Sequence, residues 1–297
     1  VNGIVGVTPS VGLVSRPAIV PISPNQDTDG PMTKNVTDAK LLLSVLQGKD
    51  HFDRFTEDQR LTTVSDSMVV LQPDTLKLGL VYSSAEQHEQ VVTLKNMLVN
   101  KLSNAGIKVT IDLKFDTYDG FWSDSYLQLL REFKTALNDY FKDLPNTAPS
   151  EVRALTLAKL IEFNTQHKDS EMNFFQQEIF VKSQATSGMD NKAFKNLAKK
   201  LKNATGDEGI DKLIEQHQLD AIIAITRGPA WKIDLINGDH SNGGVSTFAA
   251  INGSPHVTIP AGTLHGLPIG LSIMTQYGND ERALNVAYLL EQLLNAP

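Results

Sequence analysis

The stretches LKLGLVY at residues 76–82 and IKVTIDL at residues 107–113 decide the fold class of this chain. Each is a short, apolar, β-rich run that predicts a strand. The residues between them, 85–104, repeat apolar side chains at helical spacing and stop before Gly106. A strand, a helix and a second strand of these lengths form a βαβ unit, so we expect the two strands to pair in parallel. The sequence therefore predicts an α/β protein.

Working outward from this unit, the pattern predicts one α/β body rather than two independent domains. Residues 219–226, rich in Ile and Ala, indicate a strand that is buried on both faces. Residues 256–260 and 268–275 are two further strands, and Asn279 begins a final helix. Residues 123–217 are helical almost throughout. We interpret them as a helical insertion in a single domain that covers residues 1–297.

A shorter helix is predicted before the βαβ unit. Thr37 is a suitable N-cap, and Gly48 is a suitable stop. Between them, one apolar stripe is expected to face the core; it consists of Leu41, Leu42, Val45 and Leu46.

Composition excludes several classes of function. The formal net charge is −7, which argues against a nucleic-acid partner, since phosphate binding requires a basic face. The chain has no Cys, so it has neither disulfides nor a thiolate nucleophile. No apolar run approaches the eighteen residues typical of a membrane span, so none is expected. The cellular compartment stays open.

Standard catalytic signatures are absent from the sequence. There is no G-x-S-x-G elbow, Walker A loop, G-x-G-x-x-G or H-E-x-x-H. Asp239, His240, His256 and His265 form the one His-bearing group worth testing as a metal site, but zinc requires three or four convergent ligands. We therefore expect no metal, and we interpret His256 as a core histidine with a hydrogen-bond partner.

Longer motifs at both ends of the chain carry a family resemblance. The first end reads NGIVGVTPS at residues 2–10, GLVSR at residues 12–16 and QDTDGPM at residues 26–32. The other end reads AAINGSPHVTIPAG at residues 249–262 and GLPIGLS at residues 266–272. In this order, the motifs resemble the segments that follow the catalytic serine in amidase signature hydrolases, and they suit the bacterial branch that includes peptide amidases.

The resemblance implies a mixed, largely buried sheet flanked by helices, with the N-terminal portion missing. Members of the family cleave amide bonds through an acyl-serine intermediate. They use a serine nucleophile, a bridging serine and a neutral lysine, with backbone N–H groups as the oxyanion hole. All three catalytic side chains precede the position that matches Val1, so no catalytic residue is assigned here, and we expect the isolated chain to be inactive. The family needs no metal or organic cofactor.

Two groups of residues are candidates for contact with substrate. By resemblance, the loop containing Gln26, Asp27 and Thr28 packs against the catalytic centre; the alternative is a turn in which Asp27 accepts backbone N–H bonds. Trp231, with Asp234 and Asp239, follows a buried strand, where α/β sheets place binding groups. For Trp231 the alternative is plain packing.

Other functions and partners remain open at this point. The chain is either part of an amidase, a non-catalytic binding or assembly module, or a subunit complemented by a separate N-terminal fragment; a homo-oligomer is a further possibility. The substrate is expected to be a small amide or a peptide amide. Removal of the N-terminal portion is expected to expose apolar surface.

Overall fold

A seven-stranded mixed sheet runs through the computed structural model, which describes residues 1–17, 19–241 and 243–295. Its strands are β1 (Val5–Thr8), β2 (Met32–Thr33), β3 (Lys77–Val81), β4 (Lys108–Leu113), β5 (Ala221–Ile225), β6 (His256–Leu264) and β7 (Leu267–Met274). Their order across the sheet is β2-β1-β6-β7-β5-β3-β4. The β3 strand pairs in parallel with β4 and β5, and the other pairs are antiparallel. The α/β prediction and the parallel pairing of the βαβ unit are confirmed.

Helices flank the sheet and fill the segment between β4 and β5. In the described residues no helix is both long enough and apolar enough to cross a membrane. A π-helical turn, Gly206–Ile210, joins the helix that ends at Thr205 to the helix that begins at Asp211. The helices are α1 (Val36–Leu46), α2 (Glu89–Asn104), α3 (Phe121–Lys142), α4 (Ser150–Arg153), α5 (Leu157–Gln166), α6 (Lys168–Glu171), α7 (Glu178–Gln184), α8 (Lys192–Thr205), α9 (Asp211–His217), α10 (Thr247–Asn252) and α11 (Asp280–Asn295).

Two apolar layers cover the two faces of the sheet. Helices α1, α2 and α11 pack on one face, and α3, α8, α9 and α10 pack on the other. The interior strand β5 contributes Ile223 and Ile225 to the first layer and Ile222 and Ala224 to the second. All five of its residues are buried, as the run of Ile and Ala predicts.

The prediction for α1 was wrong in its cap and in its buried face. Asn35 is the N-cap, and its side chain accepts a hydrogen bond from the backbone of Asp38 at 2.8 Å. The buried face is Val36, Ala39, Lys40 and Leu43, a second stripe at helical spacing. The predicted stripe is exposed instead, by between 42% and 75% for its four members; these are Leu41, Leu42, Val45 and Leu46. The α1 helix is apolar on both sides, so periodicity alone does not choose the side.

Candidate functional site

A crevice of about 370 Å³ opens at the carboxyl ends of the parallel strands. Ser84 stands just after β3, and Thr226 stands just after β5. Open α/β sheets commonly bind ligands beyond this edge. We call the space the carboxyl-edge crevice; it is lined by Ser84, Trp122, Thr226, Arg227, Gly243, Gly244, Ser246 and Thr247.

A chain of hydrogen bonds leads from a buried histidine to this crevice. His256 Nε2 lies 2.6 Å from Ser272 Oγ, which donates to Thr226 Oγ1 at 2.8 Å. Thr226 Oγ1 lies in turn 2.8 Å from Thr258 Oγ1. Because Ser272 gives its only hydrogen to Thr226, His256 Nε2 carries the hydrogen that points at Ser272. The crevice wall therefore presents the Thr226 hydroxyl group, which is held in place by Ser272 and Thr258 behind it.

Burial sets the charge of His256, which begins this series of hydrogen bonds. His256 is 8% exposed, and burial lowers its pKa to about 4. The imidazole is therefore neutral at neutral pH. It is a core histidine with a hydrogen-bond partner, as the sequence predicts, and its role is to orient the hydroxyl groups.

The segment 227–241, which we call the closed loop, borders the crevice and bonds mainly to itself. Trp231 Nε1 donates to Asp239 Oδ1 at 2.6 Å. The Arg227 guanidinium lies 5.0 Å from the centre of the Trp231 ring and donates to Ser241 Oγ. Since Arg227 also lines the crevice, it links Trp231 to the crevice wall.

Asp234 shapes the turn of the closed loop. Its carboxylate accepts the backbone N–H groups of Ile236 and Asn237, at 2.9 and 2.8 Å. The pKa of Asp234 lies well below its usual range because of these two bonds, the bond from the Asn237 side chain and the bond from His240. The oxygens of Asp234 are occupied by bonds within the loop, so Asp234 shapes its turn.

The other predicted group lies in residues 22–28, which we call the anchored loop. Asp27 accepts the backbone N–H groups of Ile22 and Ser23, both at 2.8 Å, which is the turn considered as the alternative. Burial raises the pKa of Asp27 against these bonds. Arg16 donates to the Pro24 and Asp27 carbonyls and forms a 2.7 Å ion pair with Asp53. The loop is thus tied to residues outside it.

A buried carboxylate on α3 fastens the same loop from the other side. Glu132 is 0% exposed and accepts hydrogen bonds from Ser23 Oγ, from Asn25 Nδ2 at 2.6 Å and from Gln128 Nε2 at 2.8 Å. Burial raises its pKa, and the three donors oppose that shift. Just beyond the loop, a Cβ at Gly30 would collide with the Val7 carbonyl oxygen, so the chain is pressed against β1.

Gln26 and Thr28 keep polar atoms free. Gln26 Nε2 and Thr28 Oγ1 are buried, and neither has a hydrogen-bond partner among the described residues. A buried polar group without a hydrogen bond lowers the stability of the fold by about 1–3 kcal/mol, so we expect each of these atoms to have a partner.

The six predicted residues therefore form two groups with different neighbours. Gln26, Asp27 and Thr28 belong to a segment bonded to Arg16 and α3, whereas Trp231, Asp234 and Asp239 belong to the loop beside the crevice. Sequence reasoning missed Glu132, Thr226 and Arg227. A signal existed for the hydroxyl chain, because His256 and Thr258 share one face of β6 through their period of two.

No metal site was found in the regions that are described, and one fully buried lysine, Lys40, is not free to act as a base. No group of three or more His, Asp or Glu residues there could hold a metal ion. Lys40 is fully buried, but its ammonium donates to the Ser67 carbonyl, to Glu281 and to Asn285 at 2.6–2.9 Å. Its three hydrogens are used in structural bonds, so it is not assigned a catalytic role.

Comparison with known proteins gives one consistent result. The family model described as Amidase matches residues 1–284. A probable amidase of Arabidopsis thaliana is 32% identical over 98% of this chain and 53% of its own length. Mandelamide hydrolase of Pseudomonas putida is 26% identical over 99% of this chain and 55% of its own length. The native peptide amidase of Stenotrophomonas maltophilia superimposes with a TM-score of 0.88 at 34% identity, over 99% of this chain and 59% of that one.

The chain thus spans a little over half the length of these relatives.

Proposed function

The chain belongs to the amidase family, and we propose that it forms part of an enzyme that hydrolyses carbon–nitrogen amide bonds, with a peptide amide as substrate. The observation that carries the proposal is the family match over residues 1–284. The choice of a peptide amide rests on the similarity to the Stenotrophomonas maltophilia peptide amidase, a TM-score of 0.88 at 34% identity.

The proposed chemistry follows the family resemblance. A serine Oγ attacks the amide carbonyl carbon while its proton passes through a bridging serine to a neutral lysine. The tetrahedral intermediate collapses, the amine leaves with a proton, and an acyl-serine remains. Water then attacks this ester and releases the carboxylic acid. We assign the two serines and the lysine to polypeptide outside this chain, in keeping with its 53–59% coverage of three relatives.

The residues of this chain would form a wall of the substrate cleft. Thr226 offers a hydroxyl group that is held by Ser272 and Thr258, with His256 behind Ser272. Arg227 offers a guanidinium beside the Trp231 ring. These groups suit a peptide backbone, whose carbonyl oxygens accept hydrogen bonds and whose side chains pack on an aromatic ring. In this proposal Asp27 and Asp234 shape their loops, while Gln26, Thr28, Trp231 and Asp239 face substrate or the rest of the enzyme.

The outer face of α1 supports assembly with further polypeptide of the same enzyme. Leu41, Leu42, Val45 and Leu46 are all exposed there, and a contiguous apolar face of this kind is typical of a protein contact. This observation equally favours the second candidate function, a subunit completed by a separate N-terminal fragment.

The test compares this chain with the product of its complete gene. Ammonia release from a C-terminally amidated dipeptide, and hydroxamate formation from the same substrate with hydroxylamine, are measured for both. We expect turnover by the complete enzyme, no turnover by residues 1–297 alone, and a higher KM in the complete enzyme carrying Thr226→Val. Thr93→Val, on the exposed side of α2, is the control and should leave KM unchanged.

Two results would overturn the proposal. Turnover by the isolated chain would place the catalytic residues within it. Failure of the complete gene product to hydrolyse any peptide, aryl or aliphatic amide would remove the proposed activity.

A further inference from the structure

A second cavity, of about 520 Å³, opens at the opposite end of β5 from the crevice. It is bounded by Gly253, which precedes β6, and by Tyr277, which follows β7. Met274, at the end of β7, pairs with Ile222 at the start of β5, which fixes the cavity at the amino end of that strand. We call this space the amino-edge cavity. Asn25 of the anchored loop and Gln128 of α3 form part of its wall.

Gln128 brings an unused acceptor to this wall. The residue is 2% exposed, and its Nε2 donates to Glu132, which fixes which end of the amide is oxygen. Its Oε1 is buried and has no hydrogen-bond partner among the described residues. Burial of an acceptor without a donor is unfavourable, so a hydrogen bond from an N–H group of a ligand would be favourable at this oxygen.

A second unused acceptor lies on the helical side of the cavity. Asp211 Oδ1, just after the π-helical turn, is buried and unpartnered in the described part of the chain. Burial and the charges of Asp207 and Glu215 raise the pKa of Asp211, against a hydrogen bond from the Gln276 side chain and the charge of Arg60. Local π-helical turns are frequent at functional sites. A cationic N–H group would satisfy this carboxylate better than a neutral one.

Two cations share one aromatic ring at the same cavity. The Arg60 guanidinium lies 4.4 Å and the Lys202 ammonium 5.5 Å from the centre of the Tyr277 ring. Tyr277 Oη donates to the Val11 carbonyl at 2.8 Å, which holds the ring in place. Arg60 is paired with Asp58 at 2.6 Å. Lys202 has no salt bridge within the described residues, and partial burial together with Arg60 lowers its pKa.

The amino-edge cavity is therefore lined by a cation without a salt bridge, Lys202, and by two residues that carry unpaired acceptors, Gln128 and Asp211. Its charged lining is balanced, with Arg60, Lys199 and Lys202 against Asp58, Asp207 and Asp211. A ligand that pairs with both the cation and the acceptors carries an anionic group and an ammonium group. We propose that the amino-edge cavity binds a zwitterionic amino acid or short peptide, with its carboxylate at Lys202 and its α-ammonium at Gln128 Oε1 and Asp211. This site goes beyond the proposed function and does not depend on it.

The test uses one dipeptide in three forms, measured by titration calorimetry on this chain alone, which is expected to leave the C-terminal amide intact. L-Alanyl-L-leucine carries both charges, its C-terminal amide lacks the carboxylate, and its N-acetyl form lacks the ammonium. We expect saturable binding of the zwitterion and at least a tenfold weaker dissociation constant for each blocked form. The comparison needs no mutation, so it holds whether or not a variant folds.

Two variants locate the site. Lys202→Met keeps the aliphatic stem and removes the charge, so it should weaken binding of the zwitterion at least tenfold. Lys195→Met, on an exposed position of the same helix, is the matched control and should bind normally. Absence of saturable binding, equal affinity for the three forms, or unchanged affinity in Lys202→Met would each overturn the proposal. Loss of amidase activity would leave these binding results unaffected, so the two proposals fail separately.

Discussion

The anchored loop and the closed loop were both expected to face substrate, yet they are held in place by different means. The anchored loop depends on residues far along the chain, since Glu132 lies more than a hundred positions after Ser23 and Asn25. The closed loop takes its shape from its own bonds, Trp231 to Asp239 and Asp234 to its turn. The first should therefore behave as part of the core, whereas the second can change shape at little expense to the fold.

The largest expected effect is at Glu132, which ties the anchored loop to α3. Glu132→Ala leaves the Ser23, Asn25 and Gln128 donors buried without their acceptor. We expect the free energy of unfolding, measured by urea titration, to fall by about 2–4 kcal/mol.

Glu132→Gln is the matched control for this prediction. Its amide oxygen can accept from Asn25 and Gln128, and its amide nitrogen can donate to Ser23, without a buried charge. This variant should unfold within about 1 kcal/mol of the unmodified chain. Equal stability of the Ala and Gln variants would mean that the loop is not held through Glu132.

A second prediction concerns His256, which orients the hydroxyl groups at the crevice. Its folded pKa, about 4, lies below its ordinary value of 6.5. The stability that it contributes is therefore present above pH 6.5 and is lost as the pH falls through about 4. Relative to His256→Gln, the unmodified chain should lose about 2–3 kcal/mol between pH 7 and pH 4. Urea titrations at four pH values in this range measure the difference.

Asp280 changes the free energy of unfolding with pH in the opposite direction to His256, so it must be kept unchanged in both proteins. Burial raises its pKa from 3.8 to about 6, against bonds from Ser10. Its contribution is present below pH 3.8 and is lost as the pH rises through about 6. It partly offsets His256 in the unmodified chain, so only the difference between the two proteins isolates the histidine. A difference that does not change with pH would contradict the assignment of His256 as a buried neutral group.

The smallest expected effects on stability are those of one substitution in each of the two loops. Asp27→Ala removes the acceptor of two backbone N–H groups in the anchored loop and should lower the free energy of unfolding by about 1–2 kcal/mol. Asp239→Ala removes only the exposed bond to Trp231 and should leave the thermal midpoint unchanged. A larger loss for Asp239→Ala than for Asp27→Ala would reverse the distinction between the loops.

Sequence patterns predicted the elements that repeat regularly. The βαβ unit and the doubly buried β5 strand both follow from local periodicity. Sequence patterns failed at α1, which carries two competing apolar stripes. Lys40 is buried there because its ammonium donates hydrogen bonds to Glu281 and Asn285 of α11. Those residues lie more than two hundred positions away, beyond the reach of any local pattern.

By itself the sequence determined the α/β class, the family resemblance and the two segments thought to face substrate. Only the tertiary structure decided which side of α1 is covered, that Glu132 anchors residues 22–28, and that His256 stands behind the Thr226 hydroxyl. The reason is physical. Periodicity and turn chemistry act between near neighbours in the chain, whereas burial and the pairing of buried polar groups depend on residues that only folding brings together.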